Sequence, residues 1–420
     1  MKPFPFLETK WGKIIFALSL TAMLLLARDT LITSCLIGFT KSQVLMLGLI
    51  CLLGLAFLLS NRKRWKEILQ DPRIGIMAVC AVVLMGLMIG KRDWQLMYFS
   101  ILLCLLFGVF LTYFTNWHQV AKYYVCILAA LSLYSLIAMY LLKPLALNET
   151  LRPEVFVNSA GMEFFNFGLA YVVPSAFWHR NFGIFREPGV YQFFLILGLY
   201  LNHYGANWKR EWLRWAVTAV LAVTMISTFS IGGFAEMGAF ADFLYFDKKW
   251  YRTGPGKLLG LGAIVALAAV VIHIIVEVNT PWFELTVYYE FYDMFRRLTT
   301  DSDSLMDRLG AILTNLELFV QHPLLGGTIS QVLHGTEHNT SSTLILFAAL
   351  GVAGGVAHVA SWVALLWRKE RCVLGNLILM GILFLSFNTQ NLVADVFFWL
   401  FPMMALTEIL LNRCPLRKGD

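Results

Sequence analysis

The chain has 420 residues, of which 59% are hydrophobic and only 14% charged, with a mean hydropathy of +0.69. Soluble globular domains carry about 25% charged residues, so this composition excludes a soluble enzyme or binding module and indicates an all-α polytopic membrane protein. The formal net charge of +7 does not point to nucleic acid. Its basic residues cluster in short loops (Arg62-Lys-Arg64 with Lys66, Lys209-Arg210 with Arg214, Lys248-Lys249 with Arg252, Arg368-Lys369 with Arg371, Arg413 with Arg417-Lys418), the bias of cytoplasmic loops.

A span needs about 20 apolar residues. In chain order the apolar runs predict twelve, near 12–28, 42–60, 74–90, 95–115, 121–142, 188–204, 213–231, 232–246, 258–277, 340–366, 373–388 and 390–411. The first run has no small-residue cleavage site after it and is expected to be retained. With both termini inside, 22 of the 33 Lys and Arg fall in short cytoplasmic loops and 11 in the longer outer segments. The seven cysteines lie mostly inside apolar runs and form no Cys-x-x-Cys pair. That predicts small buried hydrophobes, not a disulfide or zinc framework. No linker, long charge run or internal repeat divides the chain, so residues 1–420 are expected to form one membrane domain.

Two long outer segments remain. In the first, 143–187, the aromatic stretch from Phe164 to Pro174 is too short to span, which predicts a re-entrant or interfacial piece. The second, 277–339, carries a helical pattern over 303–321. Leu305, Leu309, Ile312, Leu316 and Phe319 share one face, with Ser304, Arg308 and Asn315 opposite. Ser302 or Asp303 caps its start, and Pro323 disfavours helix at His322. An amphipathic helix over the outer leaflet is expected.

The chemistry-bearing residues gather at the outer membrane edge. The run Arg180-Asn-Phe-Gly-Ile-Phe-Arg186-Glu187-Pro188-Gly189 leads into apolar Phe193–Leu201. A charge at the bilayer centre costs roughly 2.5–3.5 kcal/mol. Arg180, Arg186 and Glu187 are therefore either snorkelling anchors or the rim of a wet cavity. In the second case a planar guanidinium binds two phosphate oxygens, and Glu187 orients it or acts as a base. Arg308 is either a solvated residue on its helix or a third phosphate contact. His338 and Asn339 open the span at 340. A loop histidine is commonly idle, but an imidazole at this edge can act as a general base or, charged, as a phosphate partner. Asn339 and Tyr191 complete the candidate substrate contacts. Asp301-Ser-Asp303 has the spacing of metal-dependent sugar transferases, yet helix capping explains it and no further oxygen ligands lie nearby, so no metal is expected. Glu236, Asp242 and Asp395 fall inside apparent spans, where carboxylates are functional candidates. No Gly-x-Ser-x-Gly elbow or His-Glu-x-x-His pair supports a hydrolase.

Taken in order, Arg180, Gly183, Phe185, Glu187 and Pro188, then Arg308, then His322-Pro-Leu-Leu-Gly326-Gly327, then His338-Asn339 and Gly351 resemble the O-antigen polymerase and ligase superfamily of bacteria. The resemblance covers roughly residues 180–355; the first five spans are generic. It implies a GT-C-like helical fold in the bacterial cytoplasmic membrane and metal-independent glycosyl transfer on the outer face, without a cofactor. The implied donor and acceptor are polyprenyl-diphosphate-linked glycans, and the implied partners are membrane lipid and other polysaccharide assembly proteins. Arg180, Arg186 and Arg308 would hold the diphosphate, and His338 or Glu187 would serve the acceptor hydroxyl. A polymerase is the first expectation and a ligase the alternative. A lipid-linked oligosaccharide flippase ranks behind both, because the chain shows no paired halves. One departure stands out. Relatives often carry Thr-x-Ser-Arg near the seventh span, whereas here Thr228-Phe-Ser230 is followed by Ile231.

Overall fold

Capping residues set where the helices begin. Thr9 accepts the Gly12 N–H, Asp71 the Arg73 N–H ahead of Pro72, Asn116 the Gln119 N–H and Asp395 the Phe397 N–H, each at 2.8–3.0 Å. Each supplies an acceptor to an amide that has no partner inside its own helix. The computed structural model of the chain describes residues 9–262 and 302–411, except 28, 61, 159–160, 176–179, 259, 261, 335–338, 368–370, 372 and 389; the side chains at 57, 60, 64, 65, 231 and 302–308 also lie outside this description.

The protein is helical and membrane-embedded. Its principal helices are α1 (Lys10–Leu25), α2 (Phe39–Ser60), α3 (Pro72–Gly90), α4 (Leu96–Leu111), α5 (Trp117–Ile137), α6 (Pro188–Tyr204), α7 (Glu211–Ser227) and α8 (Ile231–Asp247). After these come α9 (Ser302–Gln321), α10 (Ile329–His334), α11 (Ser342–Leu366), α12 (Val373–Phe387) and α13 (Val396–Leu410). A helix falls on every expected span except 258–277, most of which lies outside the described residues. Among the described residues four helices are long and apolar enough to cross a bilayer: Phe39–Ala56, Pro72–Gly90, Trp117–Leu147 and Ser342–Leu366. Leu96–Leu111, Val373–Phe387 and Val396–Leu410 are apolar but shorter.

α6 and α13 form the centre. Residues Val190 to Asn202 of α6 are buried, and so are Val396 to Ala405 of α13, as expected of helices apolar all round. Their aromatic rings interlock: Phe193 meets Trp362, Phe387 and Phe398, and Phe194 meets Phe397. Lipid tails are as apolar as leucine, so this interdigitation, not exclusion of water, holds the helices together. The outer helices turn large apolar side chains outward, with Leu52 65%, Val79 63% and Val82 72% exposed.

The turns group into two sets. At one end of the bundle 29–31 pairs with 184–186, 91–95 with 325–330, 181 with 227, and 339–342 with 388–392. At the other, Arg371 pairs with Asp247 at 3.2 Å, Tyr204 donates to Asp247, Asn202 donates to the Arg214 carbonyl, and His118 meets the Gly205 carbonyl. The first set joins turns expected outside; the second joins turns expected inside.

The piece expected to be re-entrant or interfacial belongs to a small antiparallel meander, β1 (Glu154–Val157), β2 (Glu163–Asn166) and β3 (Tyr171–Val172). Strand pairing satisfies the backbone without a helix. Asn166 accepts the Gly168 N–H, and Phe167 N–H reaches the Ala170 carbonyl, closing the β2–β3 turn. Before the sheet, the helical path of α5 continues through a π-turn and a further helical turn to Leu147.

α9 matches the helix expected over 303–321 and stops at His322-Pro323. Its inward side is mixed: Ala311 and Asn315 are buried and Leu318 and Phe319 pack on the protein, while Leu313 and Val320 are 66% and 73% exposed. That arrangement suits contact with acyl chains, not with water.

Candidate functional site

The elbow before α6 is fixed by side chains. Asn181 is 1% exposed. Its backbone N–H donates to the Ser227 carbonyl at 2.8 Å, its Nδ2 donates to Ser135 and Ser227 at 3.0 Å each, and its Oδ1 accepts the Gly183 N–H. Leu31 N–H donates to the Ile184 carbonyl and Arg186 N–H to the Asp29 carbonyl, so the chain after α1 braces the elbow from behind. The Arg186 guanidinium lies 3.1 Å from Glu187 and 3.6 Å from Asp29. Its Nε is buried and has no hydrogen-bond partner among the described residues. Glu187 stands at the N-cap of α6 with its side chain half exposed, where the helix dipole favours a carboxylate. Arg180 Nε donates to the Thr228 carbonyl at 3.3 Å, at the turn between α7 and α8. Arg180, Arg186 and Glu187 thus lie on one elbow. Tyr191 does not join them. It is 1% exposed with its hydroxyl 3.0 Å from Ser132, so it packs the elbow from inside.

The second half of the site comes from the start of α11. Asn339 and Asn315 exchange amide hydrogen bonds at 3.0 Å, Asn339 Nδ2 also donates to the Val332 carbonyl, and Asn391 donates to the Asn339 carbonyl. The Asn339 amide is therefore spent on holding α9, α10 and α11 together, which makes it a brace more than a substrate contact. Ser341 donates to Asn388, and Ser342 donates to the Gln390 carbonyl while accepting the Leu392 N–H. The loop at 388–395 then reaches α6: a Cβ on Gly189 would sit 2.4 Å from Gln390 Nε2. Through that loop the structure brings Glu187 and Asn339 to the same neighbourhood. His338 and Asp301 lie outside the described residues, and the side chains of Asp303 and Arg308 do too, although positions 303 and 308 fall on α9.

Between these halves, α11 is broken at Gly351 (φ 67°, ψ −165°). A break inside a membrane helix strands backbone groups that lipid cannot satisfy. The His322-Pro-Leu-Leu-Gly-Gly segment fills this one. Gly327 N–H donates to the Ala348 carbonyl at 2.7 Å and Val352 N–H to the Pro323 carbonyl at 2.8 Å. The approach is backbone to backbone: a Cβ at Gly351 would lie 2.3 Å from the Leu324 oxygen, and one at Gly326 2.5 Å from the Gly351 nitrogen. Lys91 completes the joint, its ammonium donating to the carbonyls of Leu325, Gly327 and, at 2.7 Å, Ala349. Burial pulls that ammonium down to about 8, with Asp93 acting to raise it.

Beneath the elbow lies a buried polar pair. Gln192 fills the space over Gly232 and Gly233, one turn toward the elbow from Glu236 on the same side of α8. Glu236 is 2% exposed and faces Ser386. Neither its carboxyl oxygens nor Gln192 Oε1 have hydrogen-bond partners among the described residues. Of the other carboxylates flagged inside spans, Asp395 caps α13 and Asp242 is exposed. The sequence reading missed Asp29, Lys91, Asp93 and Gln192. Only Lys91 and Asp93 carried a signal, being charges in a two-span hairpin turn. No protein-family model matches this chain, and no curated protein matches it either.

Proposed function

We propose that the protein is a polysaccharide polymerase with twelve spans and a GT-C-like arrangement, set in a bacterial cytoplasmic membrane with its site facing outward. It transfers a polyprenyl-diphosphate-linked glycan to another lipid-linked unit. One observation carries the reading. The arginine-bearing elbow at 180–187 and Asn339, about 150 residues further along the chain, come together at one end of the bundle through the loop that follows α12.

The chemistry follows from those groups. The acceptor oxygen bonds to the sugar carbon, the carbon–diphosphate bond breaks, and the acceptor proton leaves to a base, His338 or Glu187. Charge grows on the diphosphate, where Arg186 and Arg180 stabilise it without metal, each charge-assisted contact contributing on the order of 1.5–3 kcal/mol. Arg180 also answers for the arginine that relatives carry after Ser230, because its guanidinium reaches that same turn at Thr228. The apolar outer side of α9 would keep lipid carriers against the site.

The glycan ladder of a deletion strain tests the reading. A single repeat unit on the acceptor supports a polymerase. Complete loss of surface glycan supports the ligase alternative, and glycan trapped inside supports a flippase.

A further inference from the structure

We propose that Lys91 and Asp93, in the turn between α3 and α4, are positioning residues: they clasp the 322–334 segment against the broken helix and so set where Asn339, just ahead of α11, stands. The proposal rests on the functional reading only for its catalytic half. The geometry of the clasp is independent of it.

Three ties make the clasp. Lys91 spends its ammonium on three carbonyls from separate places, Leu325 and Gly327 on the segment and Ala349 at the end of the first half of α11. A cation belongs there, because carbonyls at a helix C-terminus carry the negative end of its dipole. Asp93 takes both the Ser330 hydroxyl and the Ser330 backbone N–H, the latter at 3.2 Å, and Gln95 donates to the same hydroxyl at 2.8 Å. Ser330 sits in the first turn of α10, and α10 is bound at Val332 to Asn339. The path from Asp93 to Asn339 therefore runs through Ser330, the turn of α10 and the Val332 carbonyl. A methionine of similar length would fill the space and leave three carbonyls without their cation.

The experiment measures two quantities on the full-length protein in detergent. For Lys91→Met, hydrogen exchange at the Gly327 and Val352 amides should rise about tenfold or more, and glycan-transfer kcat should fall about tenfold with KM changed less than twofold. Lys91→Arg should restore part of both. Should Lys91→Met fail to fold, Asp93→Asn keeps the ammonium and is expected to speed exchange over 329–332 alone. Unchanged exchange in both variants overturns the clasp. Faster exchange with unchanged kcat overturns the positioning role. If the wild type transfers no glycan at all, the polymerase reading fails, and the exchange arm still judges the clasp.

Discussion

The two halves of the site are held by different means. The elbow at 180–192 is fixed by side chains, with Asn181, Asp29, Arg186 and Tyr191 each bonded to a named partner. The joint where 323–327 meets 348–352 is fixed mainly by backbone, with carbonyls, amides and two glycines at van der Waals limits and a lysine across them. A side-chain lock fails one bond at a time. A backbone lock has no slack, because any added Cβ must displace main chain.

The sharpest way to break that contrast is Gly351→Ala. Positive φ together with a Cβ 2.3 Å from the Leu324 oxygen should cost about 3–5 kcal/mol, the sum of backbone strain and overpacking. Thermal unfolding in detergent measures it. A loss below about 1 kcal/mol would show that the joint has slack after all. On the elbow, Asn181→Ala should cost about 2–3 kcal/mol, since it removes several buried hydrogen bonds and leaves partners unmet, and the same assay reads it. Asn181→Asp should recover part of the loss through the retained Oδ1 to the Gly183 N–H.

A third test separates holding from chemistry within the elbow. Arg180→Ala should change stability by about 1 kcal/mol, the scale of a hydrogen bond such as that to the Thr228 carbonyl, yet lower transfer about 10- to 100-fold. Arg180→Lys should recover only part, because the planar fork is lost. Wild-type transfer by a well-inserted Arg180→Ala protein removes Arg180 from the site.

The smallest expected effect is one of pH. Lys91 sits at about 8, below its free value of 10.5, so the unfolded chain binds more protons than the folded one between those values. The penalty for holding the ammonium there is present below about 8 and fades as pH rises toward 10.5, so this group makes folding more favourable with rising pH. The clasp moves the other way, losing its cation above about 8. The groups facing Lys91 are Asp93 on its own turn and backbone carbonyls on the other two segments. Transfer should fall a few-fold as pH passes 8 while the unfolding midpoint does not fall with it. Lys91→Arg should remove that alkaline limb.

The same contrast explains what the sequence made legible. Apolar runs located the helices because bilayer thickness fixes their length, and the period of Leu309, Ile312, Leu316 and Phe319 located α9. Arg180, Arg186 and Glu187 were visible because charge beside a span is costly. The direction of α9 was not legible, since periodicity names a face and not what it meets; the meander at 154–172 was hidden because aromatic alternation over four residues looks like any short apolar run. The Gly326 and Gly351 joint showed only as glycines. Lys91 was invisible as its partner, because a lysine bonded to three backbone carbonyls leaves no mark in the residues that supply them.

Glu236 and Gln192 have a consequence for how this protein would drift. A carboxylate and an amide oxygen buried this deeply are a standing liability to the fold, and Glu236→Leu should raise the unfolding midpoint. A laboratory lineage selected for heat tolerance alone would be expected to discard them early. A lineage selected for surface glycan would be expected to keep both. Sequencing two such lineages would tell whether this pair is ballast or equipment.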